Sequence, residues 1–360
     1  TVGHEPFSIH NILDSDVWQF TNNFSYFTGN HVLTVGANYE TFSFFNSFNI
    51  FRHGLFGLPF AATTFSSLSD FFTRTTIGDP NFINLRAMIT PKTSPYKGEA
   101  IKVGQFSVYA QDEYLVSDRF NLTYGLRVDF PIYFTKPAAN PYSKGLAALD
   151  ENDKTETVDQ SKLPGSDPLF SPRVGFNYDL TGDRSSQLRG GTGIFTGRLP
   201  FVWIGNVISN PGANPNLPPH LRSFDVNAAD PDLKWPQVWN TNLAIDHRLP
   251  WDVLGTLEII YGTDLNAFYV RNADLRTPVR TLPDGRPYFG GSGFPTNPFE
   301  LTPGFGDGIY VIDNTSEGYN FSLTAQLRKQ FESGLYSGLT YTYLQAKSQL
   351  KSTEIASVLY

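Results

Sequence analysis

Apolar and polar residues alternate with a period of two in segment after segment of this chain, which sends every second side chain to one face of a β-sheet. In the clearest case, over 120–130, Phe120, Leu122, Tyr124, Leu126, Val128 and Phe130 alternate with Asn121, Thr123, Gly125, Arg127 and Asp129. Val174, Phe176, Tyr178 and Leu180 alternate with Gly175, Asn177 and Asp179. Tyr319, Phe321, Leu323, Ala325 and Leu327 do so with Asn320, Ser322, Thr324, Gln326 and Arg328. Shorter copies stand at 33–40, 105–111, 239–246, 257–262 and 338–343, and two further strands are read at 18–27 and 187–196. Together these make about ten strands, most of them about ten residues or longer; soluble strands average about 5–6 residues, whereas a tilted membrane strand needs about 9–11. Length therefore predicts an antiparallel transmembrane β-barrel rather than a soluble sandwich or propeller.

The connections alternate as well. Brief turns at 28–30, 117–119, 181–186, 249–252 and 330–334 join the strands in pairs. Between the pairs lie long stretches at 49–100, 132–170, 200–235 and 272–308, rich in the Pro, Gly, Asn and Asp that favour loops over ladders. Short turns on one rim and long loops on the other is the asymmetry of outer-membrane barrels, the short side being periplasmic and the long loops extracellular. This topology sets both chain ends on the extracellular side. The expectation is an excerpt of a larger barrel, with strands missing before Thr1 and after Tyr360.

Composition narrows the picture further. Charged residues make up only 17% of the 360 and aromatics 15%, which suits neither a disordered nor a helical chain. A mean hydropathy of -0.25 fits a barrel, because the lumen-facing half of each strand dilutes the lipid-facing half. The sequence has no apolar run long enough for a transmembrane helix and no signal-peptide pattern over 1–14. Cysteine is absent, which excludes disulfides, thiolate catalysis and cysteine-based metal sites. A net charge of -7 without a basic run excludes a nucleic-acid partner.

One long string carries a family resemblance. Residues 108–130, VYAQDEYLVSDRFNLTYGLRVDF, resemble a hairpin that recurs in TonB-dependent receptors: a Tyr-x-Gln-Asp-Glu-aromatic strand, an Asp-Arg turn and a strand ending Tyr-Gly-Leu-Arg-x-Asp. Tyr109, Gln111, Asp112, Glu113, Tyr114, Asp118, Arg119, Tyr124, Gly125, Leu126, Arg127 and Asp129 match. SPRVGFNYDL at 171–180 resembles the opening strand of the next hairpin. FSSLSDFFT at 65–73, RLPFVWIGN at 198–206 and WPQVWNTNLAIDHRLP at 235–250 are similar to the Oar-like branch, which bears a carboxypeptidase-type regulatory domain. The resemblance implies a 22-stranded barrel, of which 1–360 would be a part, and a lumen closed by the receptor's own plug domain and energised through TonB. Nothing in these residues resembles the plug, the TonB box or the regulatory domain.

Candidate chemistry is sparse. The six histidines, at 4, 10, 31, 53, 220 and 247, form no His-x-x-x-His or His-Glu-x-x-His pair, so no metal site is expected. The acidic run Asp150, Glu151, Asp153, Glu156 and Asp159 has no glycine to turn a calcium loop, and reads as a solvated loop. Gly190-Gly191-Thr192-Gly193 lacks the lysine of a phosphate cradle and reads as relief of crowding in a barrel wall. Leu282-Pro283-Asp284-Gly285-Arg286 reads as the tight turn of a loop hairpin. An omptin-type barrel protease or a barrel phospholipase needs a His–carboxylate or Ser–His pair at the outer rim, whereas His31 and His247 fall beside the short turns. No catalytic residue and no cofactor are expected. Binding is what remains. Glu40, Arg127, Asp129, Arg173, Asn177, Asp179 and Glu258 are expected to face the lumen, hydrating it or meeting a plug. Trp203, Trp235, Tyr288 and Phe289 are the loop aromatics expected either to meet an extracellular ligand or to pack the loops onto one another. Two functions follow: a receptor barrel passing a ligand across the outer membrane, or a non-transporting adhesion or assembly barrel whose loops hold a surface protein.

Overall fold

A computed structural model of the chain describes residues 11–48, 66–80, 98–141, 143–150, 152, 154–209, 212, 226–274, 280–288 and 309–349. Ten long strands form one antiparallel sheet: β1 (Asn11–Thr28), β2 (His31–Phe48), β3 (Glu99–Ser117), β4 (Phe120–Tyr133), β7 (Leu169–Asp179), β8 (Ser186–Thr196), β10 (Gln237–Leu249), β11 (Val253–Asp264), β16 (Tyr319–Gln330) and β17 (Tyr336–Lys347). They lie side by side in chain order, and each of the ten segments read from the alternation supplies one of them. Lengths run from 11 to 19 residues, enough for a tilted crossing of the hydrocarbon layer. No helix among the described residues is long and apolar enough to cross a membrane. The sheet's edge strands, β1 and β17, each pair on one side only among the described residues.

The pleat divides the sheet into two chemically distinct faces. Outward-pointing positions such as Trp18, Val35, Tyr124, Leu126, Leu243, Leu257, Ile259 and Tyr341 are apolar and yet exposed, between 40% and 75%. A soluble sheet would bury them; a lipid-facing wall leaves them bare. The opposite face carries Asn, Gln, Thr, Gly and charged side chains. Gly191 shows why glycine stands there: a Cβ would come within 2.9 Å of the Val174 carbonyl oxygen on the neighbouring strand. Crowding, rather than phosphate binding, accounts for that glycine.

All five short turns lie on one rim, and the other rim carries everything else. There the connections are not irregular throughout. A hairpin of β5 (Leu146–Leu149) and β6 (Thr155–Val158) lies between β4 and β7. Between β8 and β10 come α2 (Phe201–Ser209) and β9 (Val226–Ala229). β12 (Ala267–Asn272) and β15 (Ile309–Thr315) pair antiparallel, and β9 joins β15 in parallel to make a three-stranded sheet. A small hairpin of β13 (Arg280–Thr281) and β14 (Pro287–Tyr288) turns at Gly285, whose φ of 86° is the reason for a glycine there. A further helix, α1 (Leu68–Thr75), is capped by Ser67 accepting from the Asp70 amide at 3.0 Å.

Candidate functional site: the lumen wall and its cap

Cross-strand register places all seven expected lumen residues on the polar face. Glu40 stands opposite Gln105, Arg127 opposite Tyr109, Asp129 opposite Ser107, and Arg173 opposite Gly125. Asn177 pairs with Arg189, Asp179 with Gln187, and Glu258 with Ala244. The partners of four of them, Arg127, Asp129, Glu258 and Asp179, set up three separate groups. Asp129, only 1% exposed, gathers Gln105 Nε2 at 2.7 Å, Ser107 Oγ at 2.6 Å and Arg127 Nε at 2.9 Å on one carboxylate oxygen. Farther round, Arg189 bridges Asp246 at 2.9 Å and Glu258 at 3.1 Å, so that Glu258 belongs to an ion-pair network lower on the wall. Asp179 does neither. Its carboxylate accepts the backbone N–H groups of Thr181, Gly182 and Arg184, closing the short turn rather than lining the lumen. Between these groups, a cavity of about 550 Å³ is lined by Gln111, Thr123, Gly125, Asn240, Asn320 and Arg173, whose guanidinium lies 4.4 Å from the Phe195 ring.

Toward the long-loop rim the polar wall becomes apolar. Phe42 and Phe44 on β2, and Ile101 and Val103 on β3, continue the lumen-facing phase of Glu40 and Gln105, yet all four are buried. They are buried by the connection from β8 to β10, which crosses the mouth of the sheet. Phe201 of α2 packs its ring 4.7 Å from Phe42 and 5.6 Å from Phe44, and Leu199 and Ile204 complete the cluster. Arg198 pairs with Glu40 and lies over the Phe42 ring at 4.7 Å. Trp235 joins the same cluster, donating its Nε1–H to Tyr133 Oη at 2.8 Å. The far side of α2 holds Trp203 and Val207 against Ala229 and Ile312 of the three-stranded sheet and Leu233 of the connection after β9. The helix is thus wedged between barrel wall and loop sheet, and the described residues around it form a packed cap.

The four loop aromatics are placed very differently. Trp203 and Trp235, 2% and 1% exposed, sit inside the cap and offer no face to an external molecule; they pack the loops together. Tyr288 is 36% exposed and stacks under Arg280 at 4.8 Å on the β13–β14 hairpin. Phe289 lies outside the described residues, as do His4, His10, His53 and His220.

One arginine ties the cap together. Arg271 on β12, its side chain 9% exposed, reaches Glu156 of β6 at 2.6 Å, Asp313 of β15 at 2.9 Å, Asp230 beyond β9 at 3.7 Å, and the carbonyl of Leu149. The acidic run is therefore not merely solvated: Glu156 turns inward, while Asp150 stays at the β5–β6 turn accepting from the Asn152 and Lys154 amides. Among the described residues no three His, Asp or Glu side chains converge as a metal site. Burial pushes the Asp230 carboxyl up, helped by the neighbouring Asp313 and Glu156 charges and opposed by the Asp232 amide and Arg271. A carboxyl raised in the folded state stabilises the fold fully below its ordinary value near 4 and loses that contribution as pH rises through the folded value. Protease protection of the cap is accordingly expected to carry a component that strengthens as pH falls through the raised folded value of Asp230 toward about 4, and Asp230→Asn should remove it. The variant is the control, because the Asp150 carboxyl, lowered chiefly by the Lys154 amide, contributes a slope of opposite sign. Identical pH profiles for the two proteins would refute the assignment.

Sequence reasoning missed Arg198 and the four apolar wall residues. Its signal was present: the alternation over 33–40 is apolar at odd positions, whereas Phe42 and Phe44 are apolar at even ones. The phase inverts where the inner face stops meeting water and starts meeting the cap.

Comparison with known proteins agrees with this architecture. A family described as outer membrane beta barrel domain matches residues 5–357. The outer membrane transporter YddB from Escherichia coli has a similar fold, with a TM-score of 0.51 at 11% identity over 93% of this chain and 34% of that one. For the siderophore receptor PirA from Acinetobacter baumannii the TM-score is 0.48 at 14% identity, over 92% of this chain and 36% of that one. The chain thus spans about a third of the length of these solved proteins. No curated protein sequence matches it. With lipid on its apolar face, a polar lumen on the other and all short turns on one rim, the chain is an integral outer-membrane protein and belongs to the outer membrane beta barrel domain family.

Proposed function

We propose that this chain is a barrel portion of a TonB-dependent receptor of the Oar-like branch, taking an external ligand at its loops and passing it through a plugged lumen. The observation that carries this reading is the pairing of a polar, charge-studded inner wall with a cap anchored to it by Arg198–Glu40 and Phe201. Such a wall suits a hydrophilic cargo or a polar plug, and the cap governs entry from outside. The 108–130 hairpin supports the family. In this reading the receptor's own plug and TonB are partners, the barrel has 22 strands, and no chemical step is catalysed. A second reading, a surface adhesion or assembly barrel, is favoured by the compactness of the cap, which suits docking of a protein as well as admission of a solute.

The test is growth of a strain deleted for the full-length gene, with ferric siderophores, oligosaccharides or peptides supplied singly, in TonB-replete and TonB-depleted cells. The receptor reading expects one nutrient class to fail in both the deletion and the depleted strain. Unchanged growth on every class, with loss of a surface protein from the deletion strain, would replace it with the adhesion reading.

A further inference from the structure

We propose that His31, Asp112, Tyr114 and Tyr124 form a site on the outward face of the periplasmic rim that receives the primary ammonium of a phospholipid headgroup. Asp112 is the anomaly that leads there. It stands opposite Leu33 and Tyr124, in the apolar outward phase of β3, where Phe106 and Val108 point at lipid. An ionisable side chain on a lipid-facing wall is costly and is kept where it has a partner or a task.

Its neighbours define the task. One oxygen, Oδ2, accepts from Tyr124 Oη at 2.7 Å and from His31 Nδ1 at 2.8 Å. The other, Oδ1, is buried and has no hydrogen-bond partner. A carboxylate only accepts, so the hydrogen of this contact sits on His31 Nδ1, and in the neutral imidazole that donates there Nε2 is an acceptor. The ring is held flat against Tyr114, with centroids 4.2 Å apart and planes 3° from parallel, and the imidazole is 38% exposed where the Asp112 side chain is 7%. His31 is the first residue of β2, beside the turn at 29–30, which sets the cluster at headgroup level on the periplasmic side.

The chemistry of the cluster selects its ligand. It holds one carboxylate and no lysine or arginine bonded to it, so it attracts a cation. An acceptor nitrogen and the exposed ring of Tyr124 suit a small cation that can both donate a hydrogen bond and lie over an aromatic ring. A primary ammonium does both. A trimethylammonium has no N–H to donate to Nε2, and a glycerol headgroup brings no positive charge. Free ethanolamine shares the ammonium chemistry, but the outward placement of the site favours a lipid.

The full-length protein, reconstituted in nanodiscs holding equal parts of phosphatidylethanolamine, phosphatidylcholine and phosphatidylglycerol, would be released into mild detergent and weighed by native mass spectrometry. Retained phosphatidylethanolamine is expected to exceed each of the others by about fivefold, and His31→Ala and Asp112→Asn should each return the ratio to that of the bulk. Heat-modifiable mobility on gels reports whether each variant is folded, and His31→Gln, which keeps a polar side chain without an aromatic ring, serves should the alanine variant fail to fold. Retention in the bulk ratio by the unaltered protein, or enrichment unchanged in a folded His31 variant, would overturn the site. Displacement of the lipid by soluble ethanolamine at equal concentration would overturn the lipid as its occupant.

Discussion

Replacing Arg271 by methionine is expected to release the extracellular cap while leaving the barrel wall in place. Three carboxylates and a carbonyl, drawn from β5, β6, β15 and the segment beyond β9, converge on this one guanidinium. Removing one partner from a buried ionic cluster costs about 3–5 kcal/mol, because the charges left behind have lost their counterion. Here three anions would be left facing one another inside the cap. Wall strands hold themselves through long ladders and share none of these contacts, so the loss should be local. Hydrogen exchange of the full-length protein would show fast exchange over β9, β12 and β15 and unchanged protection over β3, β4 and β7. Arg271→Lys should fall between the two, since an ammonium keeps the charge but cannot fork to several acceptors. Cap protection in Arg271→Met equal to that of the unaltered protein would show that packing alone holds the loops.

Trp203→Ala is the second large effect. The side chain is 2% exposed and fills the space between α2 and the loop sheet, with Phe268 at 5.8 Å between centroids. Truncating a buried tryptophan to alanine typically costs about 3–5 kcal/mol, part transfer and part cavity. Since α2 touches the wall on its other side through Phe201 and Ile204, a cavity at Trp203 separates the loop sheet from the wall. The expected readout is loss of protection in β9 and β15 with the Phe201 contact retained. Trp251, 82% exposed at the β10–β11 turn, is the matched control, and its alanine variant should shift stability by less than about 0.5 kcal/mol. Equal effects at the two tryptophans would mean the cap is not packed around α2.

What the amino-acid sequence determined by itself was the wall. A strand's two faces are written in adjacent residues, so the period-two pattern at 120–130 yields β4, its lipid face and its lumen face without knowledge of any partner. Loop length supplied the rims by the same local logic. The polar sheet face shared by Glu40, Arg127, Asp129, Arg173 and Glu258 was legible for this reason, and so was the phase inversion at Phe42, although its meaning was not. Asp179 shows the limit: its face was correct, but its carboxylate is consumed by three amides of the turn that follows.

The cap was decided by tertiary structure alone. β9 is four residues long, too short to display a period, and exists because β15 pairs with it in parallel from far along the chain. The burial of Trp203 and Trp235 depends on which loop lies over them, and no neighbouring residue records that. Arg271 looks like any arginine until four acceptors from distant connections meet around it. Local patterns report the environment a strand supplies to its own side chains. Contacts between loops depend on where the finished wall holds their ends, and that arises only when the sheet has formed.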